Sequence, residues 1–106
     1  MPETYKSFGT VLGTTAATTI YSGVAGTAIV NSINCSNVSA SIANTITVEV
    51  LKGSTAYSLI TRGAIPTATS LQVLDSPIVL ESSNTLRANS GNTAEIDIFV
   101  SVLEIT

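Results

Sequence analysis

The side chains that could carry acid–base or metal chemistry are few in this chain and widely separated. The 106 residues include no histidine, one cysteine and seven acidic residues. Histidine is the commonest general base and the commonest transition-metal ligand, so its absence removes most such sites. Glu95 and Asp97 alternate on a predicted strand and share one face at about 7 Å, which is too far to share a proton directly. Because acidic residues often occupy the solvent side of a strand and discourage edge pairing, we expect no catalytic pair here.

Metal, nucleophile and phosphate motifs are also missing from the sequence. Ca²⁺ prefers six to eight oxygens, usually from one loop, and no D-x-D-x-D-G loop occurs. No serine lies in a G-x-S-x-G elbow, and no Gly-Lys-Ser/Thr follows the glycines of "GTVLGTTAATT". Cys35, in "IVNSINCSNV", lies at a position that alternation places on the apolar face of a strand, which favours a buried and inert thiol. We therefore expect a protein that is not an enzyme and that holds no metal or cofactor.

Charge and composition argue against further classes of protein, namely nucleic-acid-binding, membrane and secreted proteins. The net charge is −3, and the four cations are scattered at Lys6, Lys52, Arg62 and Arg87; phosphate neutralisation needs clustered cations, so nucleic acid is not an expected partner. No apolar run reaches the length of a membrane helix, and the N-terminus lacks the pattern of a signal peptide. Charged residues make up 10% of the chain, against about 25% in a typical domain. A surface of small neutral side chains tolerates close packing against copies or partners.

Short strands separated by Gly, Ser and Asn account for most of the chain. The clearest is "NTITVEVLKG", in which Ile46, Val48 and Val50 share one face. Two more short strands are expected at "SLQVLD" and "PIVLE". No interval is long enough for a helical crossover between parallel strands. The sequence therefore predicts an all-β fold: a single antiparallel β-sandwich spanning residues 1–106, of jelly-roll or immunoglobulin-like type, with about eight strands.

The predicted core consists of the apolar residues on the inner faces of these strands. In the third strand Ile29, Ile33 and Cys35 are expected to share a face, and in the fifth Tyr57, Leu59 and Thr61 are expected to do so. The complete core prediction is Ile29, Ile33, Ile46, Val48, Val50, Leu59, Leu71, Val73, Leu80, Leu86, Ile96, Ile98, Val100 and Val102.

The last strand, in "AEIDIFVSVLEIT", is apolar on both sides. Its even-numbered stripe runs from Ile96 to Val102, and its odd-numbered stripe begins with acids but continues with Phe99, Leu103 and Ile105. Three explanations are open. A bulge near Ser101 swaps the faces and turns Glu104 outward, the N-terminal segment covers the strand, or another subunit does. Because Phe99 precedes the proposed swap, its burial by something outside the main core is favoured.

The sequence resembles small virion structural proteins of tailed bacteriophages, notably those of cyanobacterial and other marine hosts. The resemblance runs from "TYKSFGTVLGTTAATTIYSG" and "AIVNSINCSNVSAS" through "AIPTATSLQVLDSPIVLESSNTLRANSGNTAEIDIFVSVLEI". The positions that match the family pattern are Ile65-Pro66, Ser70-Leu71, Val73-Leu74, Val79-Leu80-Glu81, Leu86-Arg87 and Ser101-Val102-Leu103-Glu104-Ile105. Asn84 departs from the pattern, which has Asp there, and Asn suits the same turn.

The resemblance implies a non-enzymatic virion component and leaves its place on the particle open. The first hypothesis is a capsid decoration or cement protein that bridges capsomers. Its expected partners are the major capsid protein or other virion proteins, and it is expected to form a homo-oligomer. A tail, neck or fibre-associated module is the structural alternative, and a host-glycan-binding adhesin is the alternative from another class. Residues 1–12 are expected to form an extended segment against a neighbouring subunit. The predicted interface residues are Tyr5, Phe8, Val11, Phe99, Leu103 and Ile105.

Overall fold

The computed structural model describes residues 3–13, 15–22, 26–93 and 95–105, and in these ranges the chain forms β-strands joined by short loops. The described strands are β1 (Glu3–Leu12), β2 (Thr18–Ser22), β3 (Thr27–Asn37), β4 (Asn44–Lys52), β5 (Thr55–Ile65), β6 (Ser70–Gln72), β7 (Ile78–Leu80), β8 (Thr85–Ser90) and β9 (Ile96–Ile105). Their β-branched and apolar alternation fits a pleated, half-buried surface. The all-β prediction is confirmed, as are the two short strands at "SLQVLD" and "PIVLE".

The strands form two antiparallel sheets. The first has the order β1-β9-β3-β6, with β7 also paired to β3, and the second has the order β2-β8-β4-β5. If β6 and β7 are taken as one interrupted strand, the first strand pairs with the last, the second with the next to last, and so on inward to β4 and β5. This nesting is the topology of a jelly roll. It differs from the immunoglobulin order, in which the first two strands are neighbours in one sheet.

The core lies between the two sheets, and β9 supplies its central ridge. Ile96, Ile98, Val100 and Val102 all point inward and are buried, as the sequence predicts. Opposite them, β4 and β8 contribute Ile46, Val48 and Leu86. Each fully buried side chain of this size stabilises the fold by roughly 1.5–3 kcal/mol.

Bulges change the predicted face of several residues. The register of β3 on β9 shifts between Val30 and Ser32, so Asn31 is the extra residue. The prediction that Ile29 shares a face with Ile33 is therefore wrong, because Ala28 and Val30 are the buried residues before the bulge.

Strand β5 carries two register shifts against β4, and the backbone of Arg62 has a φ of 51°. The prediction of a shared face for Tyr57, Leu59 and Thr61 is wrong as a consequence. Consecutive Leu59 and Ile60 both pack on the core, while Tyr57 and Thr61 are exposed.

Glu104 is buried inside the sandwich, which contradicts the predicted face swap near Ser101. Its Oε2 accepts a hydrogen bond from the Tyr21 hydroxyl at 2.6 Å, and its Oε1 lies 3.0 Å from Nζ of Lys6. These contacts give the inward carboxylate the charged and hydrogen-bonding partners that a buried ion needs. Because β9 keeps its alternation to the end, Leu103 and Ile105 stay on the outer face.

Asn44 joins two backbone segments at one end of the sandwich. Its side-chain oxygen accepts hydrogen bonds from the backbone N–H groups of Thr45 (2.8 Å), Gly91 (3.1 Å) and Asn92 (3.1 Å). Gly91 also donates to the Thr45 carbonyl at 3.0 Å. The start of β4 is thereby fixed to the loop between β8 and β9.

Candidate functional site

The outward side of the first sheet carries an apolar row that crosses four strands. In the strand register Tyr5 lies opposite Leu103, Leu103 opposite Ile29, and Ile29 opposite Val79. Residues directly opposite each other in a sheet point to the same side, so all four side chains share one face. Tyr5 is 78% exposed and Val79 is 60% exposed, while Leu103 and Ile29 are half-buried between them. We call this side of the first sheet the outer face.

A second row on the outer face contains an aromatic ring beside polar groups. Phe99 lies opposite Gly9 on β1 and Asn34 on β3, and its side chain is 51% exposed. Asp97 and Ser36 are paired in the neighbouring row, and Val11 lies opposite Asp97. Together these residues line a shallow depression of about 260 Å³.

The outward side of the second sheet has a different character. Thr47 lies opposite Asn89, and Glu49 lies opposite Arg87, with which it forms an ion pair. Thr19 of β2 continues the Glu49–Arg87 row. This side carries mainly neutral polar residues and a neutralised charge pair, with half-buried Leu51 at its end. Of the seven large apolar side chains that are exposed in the described residues, four lie on the outer face of the first sheet: Tyr5, Val11, Val79 and Phe99.

β1 is held to the rest of the sandwich by its inward side chains. The Phe8 ring packs on Tyr21 with a centroid distance of 5.1 Å, and Leu12 is buried. Lys6 reaches Glu104, whose pKa is lowered by the hydrogen bond from Tyr21 and by Lys6, against the opposing effect of burial. Burial and the neighbouring Glu104 raise the pKa of Tyr21. The segment is therefore a strand of the chain's own sheet, and it does not lie across β9 as a cover.

The predicted interface residues occupy different positions in this arrangement. Tyr5, Val11 and Phe99 are exposed on the outer face, and Leu103 and Ile105 are half-buried on it. Phe8 points inward and packs on the core, so it contributes no outer-face surface. None of the described residues covers the exposed half of Phe99, so the alternative in which the N-terminal segment covers the strand is wrong. Residues 1 and 2 of the predicted contact segment lie outside the described residues.

Two outer-face residues were missed by the sequence reasoning. Ile29 was assigned to the core, and Val79 of the short strand β7 was not considered as a surface residue. Both belong to the apolar row because β3 carries a bulge and β7 pairs with its first half. The strand spacing alone gives no sign of this pairing.

The reactive side chains are arranged as follows. Cys35 is fully buried, and desolvation raises the pKa of its thiol to about 12. Glu95 and Asp97 are exposed at the start of β9. Within the described ranges, no group of three or more His, Cys, Asp or Glu side chains is placed to hold a metal ion, and no helix is long and apolar enough to cross a membrane.

Comparison with known proteins gives a structural likeness but no family. No protein-family model matches the chain, and no curated protein matches it. Among solved structures, a pentameric capsid protein isolated from metagenomic phage sequences is similar, with a TM-score of 0.48 and 20% sequence identity. The match covers 91% of this chain and 60% of that protein, so the chain spans less than two thirds of that protein's length.

Proposed function

We propose that this chain is a structural component of a phage virion, and specifically a capsid decoration protein that binds the outside of the head and bridges neighbouring capsomers. The residue pattern that resembles virion proteins supports the virion assignment. The jelly-roll topology, which is common in viral capsid domains, agrees with it by fold analogy.

The observation that carries the proposal is the contrast between the two outward sides of the sandwich. The outer face presents the row of Tyr5, Leu103, Ile29 and Val79, whereas the opposite side presents polar pairs. Contiguous exposed apolar surface on a small protein commonly marks a contact with another protein. We infer that the outer face lies against the shell and that the polar side faces solvent.

The size of the outer face suits this role. Strands β1, β9 and β3 have ten, ten and eleven residues, and β6 and β7 have three each, so the face covers roughly 600 Å² at ~3.4 Å per residue and ~4.8 Å per strand. A standard protein–protein interface buries about 800 Å² per partner. One copy therefore contributes a contact of ordinary or slightly smaller size, and shell symmetry repeats it many times.

The copy number in purified particles tests the proposal. Quantitative mass spectrometry of the particles should find the chain in stoichiometric proportion to the major capsid protein. A few copies per particle would instead indicate a tail, neck or fibre-associated module. Absence from the particles would overturn the virion assignment.

The depression beside Phe99 favours one function of another class, which is binding of a host glycan. A sugar ring can stack on an exposed aromatic ring while Asp97, Asn34 and Ser36 hydrogen-bond its hydroxyl groups. The Asn34 amide already donates to Ser36 Oγ at 3.2 Å, which holds both side chains in place.

A glycan array separates the two functions. Binding that Phe99→Ala abolishes, together with failure to bind shells, would favour the adhesin. A blank array together with binding to shells that lack the chain would favour the decoration protein.

A further inference from the structure

Four strand edges limit the two sheets, and three of them are irregular or short. β2 carries a bulge at Ile20, and β5 carries two bulges and the positive φ of Arg62. β6 and β7 have three residues each, and Pro77 immediately precedes β7. Bulges, prolines and short strands are the devices by which proteins prevent unwanted pairing at a sheet edge.

The β1 edge is long and has no bulge and, among its described residues, no proline; of the devices that protect an edge it carries only the inward-pointing Lys6, whose charge is paired with Glu104. β1 pairs with β9 without a register shift over ten residues, from Glu3 to Leu12. Within the described residues its other edge pairs with no strand. The one cation on β1, Lys6, is engaged with Glu104. A long, regular and unpaired strand edge is a template for a further strand.

Gly9 gives a second and independent observation on the same strand. Glycine in a strand weakens it by roughly 0.5–1 kcal/mol relative to alanine, and it often marks a place where another group approaches closely. The fold of the single chain does not require it, because Gly9 has no positive φ and an added Cβ would meet only Phe99 Cδ1, at an ordinary 3.8 Å. Gly9 is exposed, so the surface above it, beside the ring of Phe99, is open to a further group from outside the chain.

We propose that β1 pairs antiparallel with β1 of a second copy, so that the two first sheets form one continuous sheet. A two-fold axis perpendicular to the sheet keeps both outer faces on one side, so odd-numbered residues of one copy lie opposite odd-numbered residues of the other. Several registers of the two β1 strands satisfy this condition, and one of them places Tyr5 over Gly9 of the second copy. An aromatic side chain over a cross-strand glycine is a known way to stabilise such a position.

In this register Ser7 lies on the two-fold axis opposite Ser7 of the second copy, and Glu3 lies opposite Val11. Lys6 lies opposite Phe8, so no like charges face each other across the new pairing. Tyr5 of the second copy also comes beside the exposed ring of Phe99, because Phe99 is the neighbour of Gly9 on β9. The pairing does not depend on the virion assignment, since it follows from the edge and from Gly9 alone.

Cysteine cross-linking tests the register directly. Opposite residues of antiparallel strands have Cα atoms about 4.5–5.5 Å apart, within the range of a disulfide. Under mild oxidation Ser7→Cys should give a covalent dimer on a non-reducing gel. Val11→Cys alone should not, because its two copies are separated by eight residues of strand, roughly 27 Å. A mixture of Glu3→Cys and Val11→Cys should cross-link. The native Cys35 is buried and should form no cross-link in the folded chain.

The unmodified chain provides the matching equilibrium measurement. Light scattering coupled to size exclusion should give twice the chain mass of 10.9 kDa. Gly9→Val should raise the dimer dissociation constant roughly ten- to hundredfold, since its side chain occupies the space of Tyr5 from the second copy, while thermal unfolding confirms that the variant is folded. A single-chain mass at all soluble concentrations would overturn the proposal. Failure of Ser7→Cys to cross-link faster than Val11→Cys would overturn it too, whatever the mass.

Discussion

Phe99→Asp is the substitution that separates a role in the outer face from a role in the core. Phe99 is half-exposed on β9, and the nearest acidic neighbour on its face is Asp97. A second carboxylate at position 99 would place two negative charges two residues apart in the middle of the proposed contact. If that contact is apolar, the variant must desolvate a charge to bind.

The magnitude follows from the exposed area. A phenylalanine side chain buries about 200 Å² in full, so the 51% that is exposed in the free chain corresponds to roughly 100 Å². At about 25 cal/mol per Å², covering it contributes roughly 2.5 kcal/mol to binding, and its loss weakens binding about 60-fold. The free energy of unfolding should fall by about 1 kcal/mol or less, because the substitution is at an exposed strand position.

The assay is cosedimentation of the purified chain with phage particles assembled without it. Thr19→Asp is the matched control, because it adds the same charge to an exposed strand position on the polar side of the sandwich. We expect Phe99→Asp to bind about 60-fold more weakly and Thr19→Asp to bind normally. Equal weakening by both variants, or unfolding of Phe99→Asp in urea titrations, would refute the reasoning.

Four other expectations concern stability and reactivity. The Glu104 pKa is lowered in the folded chain, so the contribution of its carboxylate to folding stability is present above the unfolded pKa and is lost as pH falls through the folded value. Glu104→Gln should lower the free energy of unfolding by about 1.5–3 kcal/mol at pH 7. Equal acid sensitivity of the wild type and this variant in urea titrations would contradict the expectation. The Tyr21 pKa is raised, so wild-type stability should fall above pH 10 by at most about 1.4 kcal/mol per pH unit and its advantage over Tyr21→Phe should shrink there. Gly91→Ala should lower the thermal midpoint because an added Cβ would collide with a neighbouring side chain, whereas Gly13→Ala, with nothing within 4 Å, should leave it unchanged. Cys35 should react with a thiol reagent only after unfolding, since burial raises its pKa to about 12, and labelling of the folded chain would show that the site opens.

The sequence allowed the strands and the core ridge of β9 to be predicted, because both follow from local alternation. Ile96 to Val102 alternate without interruption, and the structure keeps that alternation to the end of the strand. The nested pairing of the strands depends on contacts between distant segments. The jelly-roll and immunoglobulin alternatives therefore remained open until the strand order was known.

The wrong predictions have one physical cause, which is that bulges and buried polar partners are set by neighbouring strands. A bulge was considered at Ser101 of β9, but the extra residue is Asn31 on the neighbouring strand β3, next to the partner of Ser101. Glu104 was expected outside if the faces swapped, and its inward position depends on Tyr21, 83 residues away in the chain. The outer-face row was recognised in part, since Tyr5 and Leu103 were predicted as interface residues while Ile29 and Val79 were not.

The orientation of the chain on an intact particle is the measurement that tests the central claim most directly. Cryo-electron microscopy of the virion should show many copies on the head, with β1, β9, β3 and β7 turned toward the shell and the Glu49–Arg87 side toward solvent. Copies that turn the Glu49–Arg87 side toward the shell and leave Tyr5, Phe99 and Val79 in solvent would contradict it.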